Sequence, residues 1–328
     1  MNGIKILGTG RGVPSKLVTN ADMAKIVETS DEWIRERTGV VKRHIIRDET
    51  TVSMASEAGR RALENGGVSP EEADLILVAT ISSNVVLPGT ACLVQKELGA
   101  VNAICFDIGG AACTGFVLAY NTAEAYLESG IYRTALVIGS ESLSCITNWK
   151  DRGTCILLGD GAGAAVVRRD ERKIYLPAAH TDGAGGEALT CQSRCEANGL
   201  TREMDPEAMV DEAHFMQMDG QAVFKFATSA MMRCTEEALT RAGLTTDDVT
   251  LFTPHQANER IIRYAAKKMG LPMERFQVII DHVGNVSGAS ALIALNEALC
   301  EGKLQPGDIA CMTAFGGGLT AGSCVIRI

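Results

Sequence analysis

The stretch that decides the fold reads Asp107-Ile108-Gly109-Gly110-Ala111-Ala112-Cys113, and a similar stretch recurs at Asp281-His282-Val283-Gly284-Asn285-Val286-Ser287, an offset of 174. The similarity extends outward, since Ala62-Leu63 corresponds to Ala238-Leu239 at an offset of 176. A repeat that holds a nearly constant offset over several elements indicates an internal duplication. We therefore expect two similar halves related by a pseudo-two-fold axis.

Short apolar runs alternate with amphipathic stretches on both sides of these turns, a pattern typical of α/β layers. Strands are predicted at residues 74–79, 103–108, 134–138 and 164–167, and helices at residues 52–66, 90–98 and 114–129. The predicted halves are residues 1–172 and 173–328. A polar, glycine-rich stretch at about 180–215 has no counterpart in the first half, so we expect an inserted loop or cap region there.

Composition excludes several classes of protein. The chain has 328 residues and a formal net charge of -9, so general attraction to a nucleic acid backbone is not expected. No apolar run approaches the roughly 20 residues of a membrane-spanning helix, and a signal-peptide core is missing, so we expect a cytoplasmic protein with no membrane partner. The 11 cysteines are predicted to be free thiols, and Cys191 and Cys195 lack the second ligand pair of a metal site.

Cys113 is the candidate nucleophile. It follows a predicted strand and a turn of small residues, and it starts a long predicted helix. The positive end of the helix dipole favours a thiolate there, so we expect a lowered pKa. The alternative is that Cys113 is one of several small buried hydrophobic residues.

His255 and Asn285 are the other candidate catalytic residues. His255 follows a predicted strand at residues 249–252, a position from which one ring nitrogen could face a ligand. Asn285 lies in the counterpart of the Cys113 turn, and its ordinary interpretation is a helix N-cap. If the pseudo-symmetry brings the three side chains together, they can perform acyl transfer.

Two glycine-rich segments have different interpretations. The run Gly316-Gly317-Gly318 follows a predicted strand at residues 309–313 and could offer backbone N–H groups to an oxyanion, or it could be a plain tight turn. The segment Gly159-Asp160-Gly161-Ala162-Gly163 precedes a strand rather than a helix, so neither a dinucleotide site nor a P-loop is expected.

Two further groups could bind partners. Trp33 and Arg37 share a face of a short predicted helix that a Thr29/Glu32 capping box opens and Gly39 ends. They form either a surface cation-π pair or a platform for a nucleotide-bearing substrate. Arg260, Arg263 and Lys267 recur at helical spacing, and they form either a solvated face or a docking site for an acidic protein.

Six motifs, in order along the whole chain, resemble β-ketoacyl-acyl carrier protein synthase III. They are Asp31-Glu32-Trp33-Ile34 with Arg37-Thr38-Gly39, Ala112-Cys113-Thr114-Gly115, Asp151-Arg152-Gly153 with the Gly159 segment, Pro254-His255-Gln256-Ala257-Asn258, Gly284-Asn285, and Phe315-Gly316-Gly317-Gly318. The resemblance implies a thiolase-like, five-layered αβαβα fold and a homodimer. It also implies a catalytic triad of Cys113, His255 and Asn285.

The resemblance further implies an activity that needs no cofactor. An acyl-CoA acylates Cys113, with the N–H groups of Cys113 and Gly317 as oxyanion hole, and the acyl group is then condensed with malonyl-acyl carrier protein. This reaction initiates fatty acid biosynthesis. The alternatives are a same-fold acyltransferase or condensing enzyme of a secondary-metabolite pathway, and a scaffold that only binds CoA or a partner.

By the same resemblance, Trp33 and Arg152 sandwich the CoA adenine, Arg37 contacts its phosphates, and Gly220 and Asn258 line the pantetheine tunnel. Lys225, Arg260 and Lys267 would dock the acyl carrier protein. Leu87 stands where some members of the family have a phenylalanine that closes the acyl pocket across the dimer, so a longer or branched primer is expected. Glu259 in the docking surface and Thr114 beside the nucleophile also depart from the common pattern.

Overall fold

The structure, a computed structural model, describes residues 3–170, 177–192 and 214–328. The strands within these residues are β1 Gly3–Gly12, β2 Lys16–Thr19, β3 Lys42–Ile45, β4 Leu75–Ala79, β5 Ile104–Ile108, β6 Thr134–Ser142, β7 Asp160–Asp170, β8 Ala178–Thr181, β9 Leu189–Thr190, β10 Gln217–Met218, β11 Leu251–Pro254, β12 Ile309–Gly316 and β13 Thr320–Arg327. The α-helices are α1 Asn20–Met23, α2 Asp31–Thr38, α3 Thr51–Gly66, α4 Thr90–Leu98, α5 Gly115–Glu128, α6 Arg152–Cys155, α7 Gly220–Ala242, α8 Glu259–Met269, α9 Ile280–Val283 and α10 Ser290–Cys300.

Two mixed sheets show the duplication. The first has the order β1-β7-β6-β4-β5 and the second the order β8-β13-β12-β11. In the first sheet β4 is parallel to both β5 and β6, and β7 and β1 are added antiparallel. In the second sheet β11 is parallel to β12, and β13 and β8 are added antiparallel. Beside β11, a single parallel bridge between Phe252 and Phe276 occupies the place that β5 takes in the first sheet. The predicted α/β duplication is confirmed.

The helices form three layers around the two sheets. Helices α5 and α10 contact strands of both sheets and form the middle layer, α3 and α4 cover the first sheet, and α7 with α8 covers the second. The inner faces of both sheets share one apolar core with α5 and α10, which includes Leu77, Phe116, Leu292 and Met312. Burial of these faces is the main favourable term for such a stack. The result is the expected five-layered αβαβα arrangement.

Local signals explain where the helices begin and end. Thr50 caps α3 through its side chain, and Gly67 ends it with a φ of 60°. The predicted helices at 52–66 and 90–98 are confirmed as α3 and α4. The cap of α2 differs from the prediction, because the hydroxyl of Ser30, not Thr29, accepts a hydrogen bond from the Trp33 N–H.

The register of the repeat also differs from the prediction. A 3-10 turn at Ala112–Thr114 leads into α5, and an equivalent turn at Ser287–Ala289 leads into α10, so the structural offset here is 175. Asp107 lies in β5, whereas Asp281 lies in the short helix α9, because the second sheet lacks a full fifth strand. The pairing of Cys113 with Ser287 is therefore wrong by one residue.

The predicted boundary at 172/173 and most of the predicted insert cannot be compared, because residues 171–176 and 193–213, including Cys195, lie outside the described residues. His180 and Thr181, placed at the start of the predicted insert, are the last residues of β8 in the second sheet. No helix in the described ranges is long and apolar enough to cross a membrane.

Candidate active site

One cavity of about 1470 Å³ brings Cys113, His255 and Asn285 together. They come from three different strand ends or turns: Cys113 follows β5, His255 follows β11, and Asn285 follows α9. Residues far apart in the chain therefore contribute to one chamber, where a thiol, an imidazole and an amide provide functional groups that acyl transfer can use.

Cys113 sits on a sharp turn that brings it close to a neighbouring strand. The preceding residue, Ala112, has a φ of 43°, a left-handed conformation that residues other than glycine rarely adopt. At Gly316, the end of β12, a Cβ would lie only 2.8 Å from Cys113 Cβ and 2.9 Å from Cys113 N. Glycine at 316 therefore allows the Gly316–Gly318 backbone to approach the nucleophile, as an oxyanion hole of Cys113 and Gly317 would need.

The expected lowering of the Cys113 pKa is not observed. Burial raises the pKa of the Cys113 thiol to about 12, and the negative charge of Glu141 raises it further, whereas interaction with the Ser287 hydroxyl lowers it. Loss of solvation disfavours the thiolate more strongly than the Ser287 hydroxyl and the Cys113 backbone N–H favour it. A group that removes the thiol proton is therefore needed when Cys113 attacks.

His255 is fully enclosed and uncharged at neutral pH. Only 1% of its surface is exposed, and burial lowers its pKa to about 3. Its backbone N–H donates to Thr313 O at 2.8 Å, and its ring lies edge-on to Phe315 with centroids 5.4 Å apart. Within the part of the chain that the structure describes, the ring atom Nδ1 has no hydrogen-bond partner. Such a neutral imidazole can donate a hydrogen bond to a developing oxyanion without carrying a charge of its own.

Asn285 is oriented by its own turn. Its Oδ1 accepts a hydrogen bond of 2.9 Å from the Ser287 N–H, which leaves the amide Nδ2 as the group that can donate to a ligand. The Asn285 backbone is tied to the loop after α6, through Leu157 O at 2.9 Å and Gly159 N at 2.9 Å. At Gly159 a Cβ would lie 2.5 Å from Val283 O, so this glycine allows the close approach. The Gly159 segment continues into β7, as expected.

The predicted CoA residues lie at one part of the cavity wall, although Arg152 does not line it. Trp33, Arg37, Gly220 and Asn258 line the cavity. The Arg152 guanidinium lies 4.7 Å from the Trp33 ring centroid, too close to admit an adenine between them. A sandwich would therefore require the Arg152 side chain to move away from Trp33.

Asn258 has a structural role that the sequence analysis did not predict. Its Oδ1 accepts from the Arg260 N–H at 2.9 Å and caps α8, and its Nδ2 donates to Arg37 O at 3.0 Å. The side chain thus joins α8 to α2 at the cavity wall.

The remaining predicted residues lie at the surface. Lys225, Arg260 and Lys267 are exposed on the adjacent helices α7 and α8, and Arg260 also lines the cavity. Glu259, which departs from the common pattern, is paired with Arg263. Leu87 is 84% exposed and does not line the cavity of its own chain.

Sequence reasoning missed three buried polar residues near the site: Glu141, Gln256 and Ser287. Gln256 Nε2 donates to Pro254 O at 2.8 Å and Gln277 O at 3.0 Å, and its Oε1 accepts from the Ile279 N–H at 2.9 Å. These bonds hold the segment that carries His255. Two features of the sequence could have indicated Glu141 and Gln256: Glu141 is a carboxylate directly after the apolar run 134–140, and Gln256 directly follows the candidate histidine.

Comparisons with known proteins show the family. Residues 106–185 match the family described as 3-oxoacyl-[acyl-carrier-protein] synthase III, and residues 239–328 match its C-terminal part. The chain is 45% identical over 328 residues to the β-ketoacyl-[acyl-carrier-protein] synthase III of Clostridium acetobutylicum, covering 100% of this chain and 99% of the relative.

Solved structures are also similar over the whole chain. The crystal structure of 3-oxoacyl-[acyl-carrier-protein] synthase III from Aquifex aeolicus has a TM-score of 0.91 at 43% identity, covering 99% of this chain and 100% of that one. The priming β-ketosynthase of the R1128 polyketide pathway has a TM-score of 0.92 at 35% identity, covering 99% and 96%.

Proposed function

The chain belongs to the β-ketoacyl-[acyl-carrier-protein] synthase III family, and from that premise we propose that its condensation proceeds through an acyl group carried on Cys113. The protein is an acyltransferase that condenses an acyl-CoA with malonyl-acyl carrier protein and so starts fatty acid synthesis. The observation that supports the residue roles is the convergence of Cys113, His255 and Asn285 in one cavity.

In the first half-reaction, the Cys113 sulfur attacks the thioester carbonyl of the acyl-CoA. The backbone N–H groups of Cys113 and Gly317 stabilise the tetrahedral oxyanion. When this intermediate collapses, the bond to the CoA sulfur breaks, CoA leaves as the thiol, and the acyl group stays on Cys113. The thiol proton ends on CoA, so atoms and charge balance.

In the second half-reaction, the malonyl thioester loses CO2 and becomes an enolate. His255 and the Asn285 Nδ2 donate hydrogen bonds to the thioester oxygen, where the negative charge develops. Two neutral donors suit this step, because burial keeps His255 uncharged and Asn285 Oδ1 is already engaged. The enolate carbon then attacks the acyl-cysteine, which releases the Cys113 thiolate and forms the β-ketoacyl-carrier protein.

The substrates are proposed to approach along the wall formed by α2, α7 and α8. Trp33, Arg37 and Arg152 would hold the CoA nucleotide, with Gly220 and Asn258 beside the pantetheine arm. Lys225, Arg260 and Lys267 would attract the acidic carrier protein, since opposite charge mainly speeds association. We further propose a cytoplasmic homodimer in which Leu87 reaches the partner's acyl pocket.

The proposed role of Cys113 is tested by intact-mass measurement after incubation with a panel of acyl-CoA primers. We expect one acyl adduct on the wild type and none on Cys113→Ala, with some malonyl decarboxylation surviving in the variant. Cys145, which is exposed and lines the same cavity, provides the control: Cys145→Ala should still be acylated. Full condensation by Cys113→Ala would refute the proposal.

Malonyl-carrier protein then separates the pathways. A β-keto product on the carrier supports fatty acid initiation. Release of free acid or a small ester, with no β-keto product, would instead favour a secondary-metabolite acyltransferase. Similarity to the R1128 priming enzyme makes that arm of the experiment necessary.

A further inference from the structure

Glu141 is a buried carboxyl that the proposed mechanism does not use. It lies near the end of β6 with 1% of its surface exposed. One oxygen, Oε2, accepts hydrogen bonds from the Ile81 N–H at 3.1 Å, from Thr80 Oγ1 at 3.3 Å and from the Ser82 hydroxyl. The other oxygen, Oε1, is buried and has no hydrogen-bond partner among the described residues. An unpaired buried carboxylate oxygen is costly, so it calls for a functional explanation.

Ser287 begins the turn Ser287–Ala289, which packs against both β6, the strand that carries Glu141, and the turn that carries Cys113. It lines the cavity and is 2% exposed, and its φ of 45° is a strained, left-handed conformation. Its hydroxyl interacts with the Cys113 thiol and with the Glu141 carboxyl, and it lowers the pKa of both. Even so, neither Ser287 Oγ nor Glu141 Oε1 meets the distance and angle criteria of a hydrogen bond with any described residue. The Cys113 thiol, the Ser287 hydroxyl and the Glu141 carboxyl thus form a group in which the hydroxyl and one carboxyl oxygen are still available for hydrogen bonding.

We propose that Glu141 accepts the Cys113 thiol proton during acylation, acting through the Ser287 hydroxyl, an inference that rests on the proposed role of Cys113. As the sulfur attacks the acyl-CoA carbonyl, its proton passes to Ser287 Oγ while the hydroxyl proton of Ser287 passes to Glu141 Oε1. The S–C bond to Cys113 forms, the C–S bond to CoA breaks, and the CoA thiolate takes the proton back along the same series.

The charges of the site agree with this assignment. Burial raises the pKa of Glu141 to about 7, so this carboxyl can exchange a proton near neutral pH. The charge of Glu141 raises the pKa of Cys113, so the thiol keeps its proton while the carboxylate is ionised, and the ionised carboxylate can accept that proton when the sulfur attacks. His255 is a poor acceptor at neutral pH, since burial lowers its pKa to about 3.

Other acidic groups near these elements face elsewhere. Asp160, on the adjacent strand β7, accepts hydrogen bonds from Ser144 and from the Ile46 N–H. Asp107, on the cavity wall, accepts from the backbone N–H groups that start α4. Glu124, on α5, does not line the cavity, and its pKa is raised by burial and by the charge of Glu128. Among these carboxyls, Glu141 is the one whose charge acts on the Cys113 thiol.

The test is the single-turnover rate of Cys113 acylation by acetyl-CoA, followed by intact mass between pH 5.5 and 9. For the wild type we expect the rate to rise about tenfold per pH unit below the Glu141 pKa of about 7 and to level off above it. Glu141→Gln should lower the rate at pH 8 by about a hundredfold. It should also remove the break, that is, the change of slope of the pH–rate profile near pH 7. Acylation within about threefold of the wild-type rate, or a retained break, would overturn the proposal.

A second variant covers the case in which Glu141→Gln fails to fold because the 80–82 segment loses its anchor. Ser287→Gly removes the hydroxyl and suits the positive φ, so it should fold, slow acylation about as much and lose the same break although Glu141 remains. Glu124→Gln is the matched control, because burial also raises the pKa of Glu124 to about 7, and it should keep the break. If the wild type forms no Cys113 adduct at any pH, the proposed function fails; if it forms one and both site variants keep the break, only the relay fails.

Discussion

The two turns that lead into the central helices have the same backbone and different side chains. Ala112 and Ser287 have φ values of 43° and 45°, and each begins a 3-10 turn before a buried helix, α5 or α10. At the structural offset of 175, Cys113 corresponds to Gly288 and Asn285 to Gly110. Each turn therefore carries a functional side chain where the other has glycine.

This exchange shows how a duplicated scaffold can form one site. A Cβ at Gly288, the position equivalent to Cys113, would lie 3.0 Å from Ala112 O, so a side chain there would require the backbone of the first turn to shift. Gly110 has open space around it but a φ of 74°, a conformation that favours glycine. Under the proposed roles, the first of these two equivalent turns offers the nucleophile and the second offers a hydrogen-bond donor.

The comparison of the two turns predicts the largest difference between condensation and acylation for a substitution at Asn285. Asn285→Asp keeps the oxygen that accepts from the Ser287 N–H, but it replaces the amide donor with a charge that repels the developing enolate. We expect condensation to fall by about 10²–10³-fold, while acylation of Cys113 changes only a few-fold. Product formation from malonyl-carrier protein and single-turnover acylation measure the two steps. An equal loss in both would break the division of roles between the turns.

The contact between Cys113 and β12 gives the next effect. Gly316→Ala would place a methyl group 2.8 Å from Cys113 Cβ, so the turn or the strand must shift. We expect acylation to fall about a hundredfold and the free energy of unfolding to fall by about 1–3 kcal/mol. Gly183→Ala, where no atom lies within 4 Å of the added Cβ, is the control and should change neither quantity. Urea unfolding and intact mass provide the readouts, and normal acylation by Gly316→Ala would contradict the geometry.

The central helices differ in a buried charge, which predicts a pH effect on stability. Glu124 on α5 has the half-buried Leu299 as its counterpart on α10, and burial raises the pKa of Glu124 from 4.5 to about 7. The folded state therefore binds the proton more tightly than the unfolded state. This contribution to stability is present below about pH 4.5 and is lost as pH rises through about 7.

Accordingly, the stability of Glu124→Gln relative to the wild type should increase by about 2 kcal/mol between pH 5 and pH 8. Denaturant unfolding of both proteins across that range measures this difference. A difference that does not vary with pH would show that Glu124 titrates normally in the folded protein.

The smallest effect concerns the outer helices. Lys267 on α8 and Lys96 on α4 occupy equivalent places in the two halves, and both are exposed. Lys267→Glu should raise the KM for malonyl-carrier protein several-fold, more at low salt, because it reverses a docking charge. Lys96→Glu makes the same charge change in the first half and should leave that KM unchanged. Equal effects of the two variants would mean that net charge, and not a docking surface on α8, attracts the carrier.

Much of the fold, and three of the residues that line the cavity, could be predicted because the signals are local. Apolar runs and capping residues located β4, β5, α3 and α4, since each depends on neighbours a few residues away. Cys113, His255 and Asn285 were recognisable because each follows a strand or turn signal within a short motif. The register error at Ser287 arose because sequence matching cannot detect which residue adopts the left-handed conformation.

By itself, the sequence determined that two α/β halves repeat, which turns carry reactive side chains, and which family the motifs resemble, because periodicity and motif spacing are properties of short segments. The tertiary structure alone decided the burial that raises the pKa of Cys113, the stacking of Arg152 on Trp33, and the placement of Glu141 and Ser287 behind the nucleophile. These features depend on desolvation and on contacts between residues far apart in the chain, and both exist only after the layers have packed.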